Sequence, residues 1–429
     1  MTAPSPGAAG RAQAGPAEPG TGARLPAGVP RMPVGGISAA RPPLIRALNE
    51  KLLLEHIRQL GPCSRAELAR ASGLSKPTVS LALGNVERSG LVQTAGQRTG
   101  VPGRSALLYE IRPDAGLVLG LDIGHEYVRG ALADLAGEIR ARSTLRARAS
   151  SVRGRVAELV RLGDMLCNEA GVTRPAVTQT VIGSPGVYDP GRDSMKLTGG
   201  LAGWDRPAAL AGLRAAFGET VVIENDVDAE ALAERALGHG RNVDDFAFVH
   251  VGTGIGMGLV LNGQLRRGVH GLAGEIAFMP LAEGSGADEG DARKRGPLEA
   301  TVAAAAVVRA ARKAGLRGPV TARRVFDAAA RGDSRAAAVV AEEAKLVAKA
   351  ICAVITVVDP ELIVLGGGIG QAPGFADAVS GQLQTMSPAR PAVRVSALGS
   401  DAVVDGCLAA GGDLAWNRLM TALPTGAPA

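Results

Sequence analysis

The chain has 429 residues, 47 Lys and Arg against 41 Asp and Glu for a net charge of +6, and only 3% aromatic residues. This length exceeds the usual size of one domain, so more than one hydrophobic core is expected. The four cysteines are scattered without a C-x-x-C pair, and no apolar run is long enough to cross a membrane. These features exclude a disulfide scaffold, a Cys-rich metal site and a membrane protein.

The first 40 residues are rich in Ala, Gly and Pro and contain almost no large apolar side chains. Such a segment cannot offset the entropy lost on ordering, so residues 1–40 are predicted to be a disordered tail. The tail also lacks the apolar core of a secretory signal. We therefore expect a cytoplasmic protein.

Two short helices joined by a tight turn are predicted next. Ser64 followed by Glu67 is a capping-box pattern that opens the first helix, and Ser72-Gly73 ends it. Ser75 caps the second helix. Apolar residues at helical spacing are predicted to line the inner face of this second helix: Val79, Leu81, Leu83 and Val86. The layout is typical of a helix-turn-helix, whose second helix enters the major groove of DNA.

The region around these helices is strongly basic. Residues 41–112 contain eleven Lys or Arg and five Asp or Glu, and 11 − 5 = +6 equals the net charge of the whole chain. This concentration favours contacts with DNA phosphates. Two strand-like runs, 91–93 and 107–111, flank a Gly- and Arg-rich loop and predict a wing. Residues 41–112 are therefore predicted to be a winged helix-turn-helix domain that binds double-stranded DNA; the alternative is an ordinary helical hairpin.

Seven residues are predicted at the DNA interface. Polar residues at the leading end of the second helix are assigned to base edges, nearby phosphates and the cap itself: Ser75, Lys76, Thr78 and Ser80. Arginines of the first helix and of the wing are assigned to phosphate neutralisation: Arg65, Arg98 and Arg104.

From residue 113 onward the pattern alternates between strands and helices, which predicts an α/β fold. The predicted strands are 117–123, 128–134, 137–143, 177–182, 221–224, 246–251, 257–262 and 362–365. The predicted helices are 153–170, 229–237, 300–314, 321–331 and 334–358. The set of strands and helices occurs twice, so residues 113–429 are expected to form two lobes with a cleft between them.

Several loops in this region are suited to close contact with a ligand. Asp122 and Gly124 follow the first strand, and a turn between two later strands reads Gly-Thr-Gly-Ile-Gly-Met-Gly from Gly252, which allows backbone N–H groups to surround an anion. Carboxylates and an amide also stand at the ends of elements, next to glycines: Asn225, Asp226, Glu275 and Glu299. These groups are suited to sugar hydroxyls, although each has the plainer interpretation of a helix cap or a solvated charge.

The chain resembles the ROK family of repressors and sugar kinases over nearly everything after the tail. Eight segments carry the resemblance: LGLDIG (119–124), IGSPGVYDP (182–190), GW (203–204), VIENDVDAEALAE (222–234), HVGTGIGMGLVLNG (250–263), GVHGLAGEIAFMPL (268–281), GPLEA (296–300) and DPELIVLGGGIG (359–370). The resemblance implies an actin-like, bilobal ATPase fold with a sugar in the cleft, and the N-terminal helix-turn-helix is similar to that of the repressor-like members.

The resemblance also implies roles for individual residues. Asp226 is the counterpart of the kinase general base, here vestigial. The implied hydroxyl ligands are Asn225, Asp226, Glu275 and Glu299. The implied remnants of the phosphate loops are Asp122, Gly124, Gly252, Thr253, Gly254 and Gly256.

Three departures from the family pattern bear on function. The first phosphate loop reads His125-Glu126 where the kinases have Gly-Thr, which sets a negative charge near the expected ATP phosphates. The structural zinc site of the family is predicted to be lost, because Phe278 replaces its His and the segment 284–297 contains no Cys. A sugar-contacting Asn is missing where the chain has Gly199-Gly200. No metal or other cofactor is therefore expected.

The sequence leaves three functions open. The leading hypothesis is a transcriptional regulator, expected to be a repressor, that binds operator DNA as a homodimer or homotetramer and responds to a sugar or sugar phosphate in a degenerate kinase cleft. The second is a sugar kinase with a DNA-binding appendage. The third is a DNA-binding protein whose kinase-like part is only a ligand-free scaffold.

Overall fold

Helices and a small sheet form the first part of the structure, a computed structural model that describes residues 42–98, 106–198, 201–281 and 289–422. Its elements are α1 (Pro42–Leu60), β1 (Cys63–Ser64), α2 (Arg65–Ser72), α3 (Lys76–Arg88), β2 (Val92–Arg98) and β3 (Ala106–Ile111). Strand β3 lies between β1 and β2 and pairs antiparallel with both. Both predicted helices and both predicted strands are present. The predicted tail and the wing loop with Arg104 lie outside the described residues, so the wing stays a prediction.

Helix boundaries in this first part follow the capping residues. The Ser64 side chain accepts a hydrogen bond from the Glu67 N–H at 3.3 Å, and Glu67 accepts one from the Ser64 N–H at 2.8 Å. Gly73 ends α2 with a φ of 69°, and Ser75 accepts from the Thr78 N–H at 3.3 Å. One predicted core residue is wrong: Leu81 is 58% exposed. The buried face of α3 repeats at intervals of three and four residues, and it consists of Val79, Ala82, Leu83 and Val86.

The first lobe is built on a five-stranded sheet. Its strands are β4 (Leu117–Ile123), β5 (Tyr127–Asp134), β6 (Ile139–Arg146), β7 (Gln179–Ser184) and β10 (Val222–Asn225), with the pair β8 (Val187–Asp189) and β9 (Ser194–Lys196) beside it. Its helices are α4 (Val152–Glu169) and α5 (Pro207–Phe217). The strand order is β10-β7-β4-β5-β6, in which β10, β7 and β4 run parallel.

The second lobe repeats this plan. Its strands are β11 (Phe246–Val251), β12 (Ile255–Leu261), β13 (Gln264–Leu265), β14 (Leu362–Gly366) and β15 (Ala392–Val395), in the order β13-β12-β11-β14-β15. Its helices are α6 (Asp226–Leu237), α7 (Glu289–Arg295), α8 (Glu299–Val302), α9 (Ala304–Lys313), α10 (Ala322–Ala330), α11 (Ser334–Val358), α12 (Gly367–Gly370) and α13 (Phe375–Met386). Both sheets therefore place their first strand between the second and the fourth, which confirms the predicted duplication.

Helix α14 (Ala402–Ala422) connects the first lobe to the N-terminal module, and the sequence did not predict it. Gly411 packs against Val118 of β4 in the first lobe, Gly406 contacts α6 of the second lobe, and Trp416 is buried in the hydrophobic core formed by α1, α2 and α3. The described residues from Pro43 onward form one compact unit. None of the described helices has the length and apolar character needed to cross a membrane.

Some predicted boundaries differ from the structure. The single helix predicted for 300–314 is two helices, because Ala303 has an extended backbone with a ψ of 169°. Helix α6 starts three residues earlier than predicted because Asn225, at the end of a strand, caps it directly. Strand β6 starts two residues later than predicted, after a turn in which Gly137 has a φ of 84°.

Candidate functional site

The predicted ligand residues lie where strands of both sheets end. Asp122 is the penultimate residue of β4, Asn225 ends β10, and His250 is the penultimate residue of β11. Because carboxyl ends of parallel strands meet at one edge of a sheet, loops from both lobes can surround a common ligand there. Helix α6 starts at this edge with Asp226, which places its first turn inside the site.

Asn225 is engaged by the protein itself. Its side-chain oxygen accepts hydrogen bonds from the N–H groups of Val227 at 2.9 Å and Asp228 at 3.1 Å, and its amide nitrogen donates to the Gly186 carbonyl at 3.0 Å. These bonds cap α6 and tie it to the loop after β7. The plainer interpretation of Asn225 as a helix cap therefore applies, and its role as a sugar ligand stays a prediction.

Carboxyl groups with raised pKa values are grouped in the cleft. Burial, followed by the charge of Asp226, raises the pKa of Asp122 to about 7, although Arg129 opposes this shift. Burial, followed by Asp226 and Glu299, raises the pKa of Glu275 to about 7. Burial and the nearby carboxyl of Glu230 raise the pKa of Asp226 as well. With pKa values of about 7, Asp122 and Glu275 are partly protonated at neutral pH, so each can accept or donate a hydrogen bond to a polyhydroxyl ligand.

Glu299 connects the cluster of cleft carboxyls to the glycine turn at Gly252–Gly254. Its side-chain oxygen accepts a hydrogen bond from the Ile255 N–H at 3.2 Å, and a Cβ on Gly254 would lie 2.6 Å from that oxygen. A residue other than glycine would therefore displace the carboxylate. The Gly252 N–H donates to the Gly254 carbonyl at 2.9 Å, which tightens the turn. Thr253 is exposed at its tip.

The glycine-rich segment is shorter as a loop than the sequence indicated. Gly256 and Gly258 lie in strand β12 and pack against α6, where a Cβ on Gly258 would be 2.5 Å from the Ala231 methyl group. Gly256 therefore lies in a strand that a helix approaches closely, and its role as a remnant of a phosphate loop stays a prediction. The loop that can contact an anion is limited to Gly252–Gly254.

Asp122 and Gly124 are at the first predicted phosphate loop, and Arg129, in the strand that follows this loop, was not predicted from the sequence. Arg129 donates to Asp122 at 3.2 Å, because the two residues are directly opposite each other on β4 and β5. A Cβ on Gly124 would be 2.5 Å from the carbonyl oxygen of Tyr127, so the turn requires glycine. His125 and Glu126 are exposed. The antiparallel register of two consecutive strands was the signal for this pair.

Two further residues of the cleft were missed. Glu230 lies one helical turn after Asp226, and its carboxylate is 2.7 Å from Nδ1 of His250. Their positions on a helix and on a strand gave no local signal, since the contact spans twenty residues of sequence.

The predicted DNA interface is partly exposed. Ser75, Lys76 and Ser80 are exposed at the leading end of α3, and Thr78 is half-buried. The hydroxyl groups of Ser75 and Thr78 are 2.8 Å apart, so both take part in capping the helix.

The two described arginines of this interface have protein partners. Arg65 donates to the Tyr109 hydroxyl at 2.6 Å, and Arg98 donates to Glu67 at 2.6 Å. Both arginines remain exposed, so each can also contact a phosphate, but Arg98 carries a neutralising carboxylate that the sequence analysis did not anticipate.

The expected loss of the zinc site stays a prediction. Phe278, at the position of the zinc-binding His, has no lone pair to offer and is 41% exposed. Within the described ranges no group of three His, Cys, Asp or Glu side chains can hold a metal ion. Phe278 therefore cannot supply the imidazole ligand of the family's zinc site.

Comparison with known proteins agrees with this architecture. The Bacillus subtilis xylose repressor is 28% identical over 237 residues, which are 55% of this chain and 61% of that protein, so the chain spans less than two thirds of this curated relative. The ROK hexokinase from Thermus thermophilus has a TM-score of 0.60 and 29% identity, covering 68% of this chain and 97% of that one. A ROK transcriptional regulator, described as a homolog of the E. coli MLC protein, has a TM-score of 0.72 and 24% identity. The match covers 88% of this chain and 98% of that one, and it shows a likeness of fold. A model of the ROK family matches residues 118–409, and the chain therefore belongs to the ROK family.

Proposed function

We propose that this protein is a transcriptional repressor whose binding to double-stranded DNA is controlled by a sugar or sugar phosphate in the ROK cleft. The observation that carries the proposal is the polar leading end of α3, with Lys76 and Ser80 exposed while Val79 and Leu83 on the opposite face are buried. A helix presented in this way can enter the major groove. The similarity to the xylose repressor supports the same function.

Helix α14 supplies a physical connection between the cleft and the DNA-binding module. Near its start, Cys407 lies 3.7 Å from the Leu121 carbonyl in β4, the strand that carries Asp122. Near its end, the Trp416 indole donates to the Glu55 carboxylate of α1 at 3.1 Å. A ligand that shifts the packing of the cleft would therefore change the position of α14 in the module. Such a ligand controls DNA binding by its differential affinity for the two states.

A sugar kinase is the second candidate, and the retained Asp226 with its raised pKa favours it. One feature argues against it. Glu126 adds negative charge to the first phosphate loop, near the expected position of the ATP phosphates. We therefore propose that the protein is not an enzyme and acts as a homodimer or homotetramer on two-fold symmetric DNA sites.

The test begins with selection of bound sequences from a pool of genomic DNA fragments by the full-length protein. Affinity for the selected duplex is then measured by fluorescence anisotropy with and without a panel of sugars and their phosphates. We expect Lys76→Ala to weaken DNA binding by roughly 1 kcal/mol or more, and Lys313→Ala, an exposed Lys on α9, to leave it unchanged.

Each alternative has its own outcome. No selected sequence, or equal effects of the two lysine substitutions, would overturn the role of α3. Selection of DNA without any sugar effect would favour the ligand-free scaffold. Phosphorylation of a sugar by ATP, abolished by Asp226→Asn, would establish the kinase.

A further inference from the structure

A second cavity lies outside the ROK cleft, where the N-terminal module meets the two lobes. Its volume is about 560 Å³, and its walls come from the ends of α1, β3 and α6, from the turn between β5 and β6 and from one face of α14. We call it the junction cavity, and the residues that define it here are Arg58, Glu110, Ile139, Leu237, Leu408 and Trp416. Its described wall residues lie outside the eight family segments. Cavities of about 300–1,000 Å³ between domains hold small molecules, so the size fits such a ligand.

Much of the wall of the junction cavity is apolar. Leu408 and Trp416 of α14 lie on one side of it. Two large apolar side chains at its rim are exposed to solvent, since Leu237 is 57% exposed and Ile139 is 43% exposed. Leu237 ends α6 in the second lobe, and Ile139 begins β6 in the first lobe. Exposed apolar side chains from different elements that surround one cavity are typical of a binding site.

The charged groups on the same wall are mainly acidic. Four carboxyl groups line the cavity, with Arg58 as the basic residue among the described wall residues: Glu110, Asp134, Asp405 and Asp413. Three of these carboxyls form ion pairs with arginines: Asp134 with Arg140, Asp405 with Arg142, and Asp413 with Arg58. The guanidinium of Arg58 also lies over the Trp416 ring, 5.3 Å from its centroid. The cavity is therefore closed to a further anion and favourable for a cation.

Glu110 is the carboxylate that remains for a ligand. It is half-buried in β3, and one of its oxygens accepts a hydrogen bond at 2.9 Å from the amide of Gln93, which lies directly opposite on β2. Within the described part of the chain, Glu110 forms no ion pair, and its second oxygen accepts no hydrogen bond. A neutral partner thus fixes the position of the carboxylate without neutralising its charge. An ammonium group is the complementary donor.

We propose that the junction cavity is a second ligand site, separate from the ROK cleft, for a small molecule with an apolar body and one ammonium group. The apolar body packs against Leu237, Leu408 and Trp416, and the ammonium group donates to Glu110. An anion of the same shape is repelled by the acidic wall. Since the occupant contacts the N-terminal module and both lobes, it also changes operator affinity, an effect that rests on the regulatory function proposed above.

The experiment compares three probes that share an indole ring and differ in charge: tryptamine, tryptophol and indoleacetate. Their affinities for the full-length protein are measured by isothermal titration calorimetry. We expect the cation tryptamine to bind more than tenfold tighter than the anion indoleacetate, with the neutral tryptophol between them, and added salt to weaken the binding of tryptamine more than that of tryptophol. Absence of tryptamine binding, or equal or tighter binding of indoleacetate, would overturn the proposal.

One pair of variants tests the charge. Glu110→Gln removes the negative charge and keeps a side chain of the same size, so it is expected to lose about tenfold in affinity for tryptamine and to bind tryptophol as the wild type does. Glu169→Gln, at an exposed position at the end of α4, should bind all three probes as the wild type does. An equal loss of affinity for tryptamine and tryptophol in Glu110→Gln would reveal damage to the cavity and refute the role of the charge.

A second pair of variants tests the apolar wall. Leu237→Ser removes an exposed apolar side chain from the rim and is expected to weaken tryptamine and tryptophol alike, by about fivefold. Leu48→Ser is the matched control, because Leu48 is 54% exposed on α1 and does not line the cavity. Unchanged affinities in Leu237→Ser, or the same loss in Leu48→Ser, would place the probes elsewhere on the protein and overturn the assignment.

The ligand site and the regulatory function fail in different ways. If tryptamine binds through Glu110 and operator affinity does not change, the ligand site stands and its effect on DNA binding fails. If no DNA sequence is selected at all, the regulatory function fails while the probe titrations still support the site. A tryptamine affinity that falls as the protein is concentrated and oligomers form would assign the junction cavity to a second copy of this chain and overturn the ligand site.

Discussion

Replacing Gly406 by Ala tests whether the DNA-binding module and the cleft are connected through direct contact of α14 with α6. A Cβ at this position would be 1.8 Å from the carbonyl oxygen of Ala229, whereas ordinary contact begins at 3.4 Å, so the helices would have to separate locally by about 1.6 Å. Overpacking of this kind costs about 1–3 kcal/mol, and replacing a helical glycine by alanine offsets about 1 kcal/mol of it. The backbone clash puts the cost at the upper end, so we expect a net loss of about 2 kcal/mol.

The matched control is Gly412→Ala in the same helix, where no heavy atom lies within 4 Å of the added Cβ. This change gains helix propensity without a clash and is expected to be neutral or stabilising by up to about 1 kcal/mol. Urea unfolding followed by tryptophan fluorescence measures both variants, and the sugar effect on DNA affinity is measured in parallel. We expect Gly406→Ala to lose stability and most of the ligand response. Equal stability of the two variants, or a full ligand response in Gly406→Ala, would refute the role given to this contact.

Three further predictions concern stability. Trp416→Ala removes a buried indole, so it should destabilise the N-terminal module by about 3–5 kcal/mol and abolish operator binding. Asn417→Ala, at an exposed position on the same helix, should have no effect. Measurements of operator affinity and of thermal unfolding would check both variants. Burial raises the pKa of Glu343 well above its ordinary value, so the protein loses stability as the pH rises above that ordinary value. The variant Glu343→Met removes the buried carboxyl and should melt at a higher temperature than the wild type at neutral pH. A lower melting temperature would contradict this prediction. The Ser64 N–H and then the Arg98 guanidinium hold the pKa of Glu67 down to about 2. The stability that the Glu67 carboxylate provides is therefore present above its ordinary pKa and is lost as the pH falls toward 2. The variant Glu67→Gln should weaken this acid dependence in a series of urea unfolding curves at different pH values.

Features that depend on neighbouring residues could be predicted from the sequence. The capping box of Ser64 and Glu67, the cap at Ser75 and the alternation of strands and helices all rest on interactions within one turn or one strand. The repeated order of elements was enough to predict two lobes, and the ordered family segments placed Asp226, Glu275 and Glu299 in one cleft. The end of α2 at Gly73 and the exposed leading end of α3 followed from the same local rules.

Features that depend on contacts between distant segments were decided by the tertiary structure. Leu81 has an apolar side chain at a position that the packing of α3 leaves in solvent, and Gly256 lies in β12 where α6 approaches closely. The pairing of His250 with Glu230 depends on how a strand of the second lobe meets α6, which no local spacing encodes. Trp416 enters the core of a module that begins more than 300 residues earlier, through α14.

The sequence by itself determined the family, the duplicated lobes and the helix-turn-helix, because periodicity, capping and ordered motifs are properties of short segments. The tertiary structure decided which charges face each other in the cleft and how the cleft is joined to the N-terminal module. These properties arise from burial and from contacts between distant parts of the chain. Burial raises the pKa values of Asp122 and Glu275, and the Glu230 carboxylate raises that of His250 against the effect of burial, only after folding has brought those groups together.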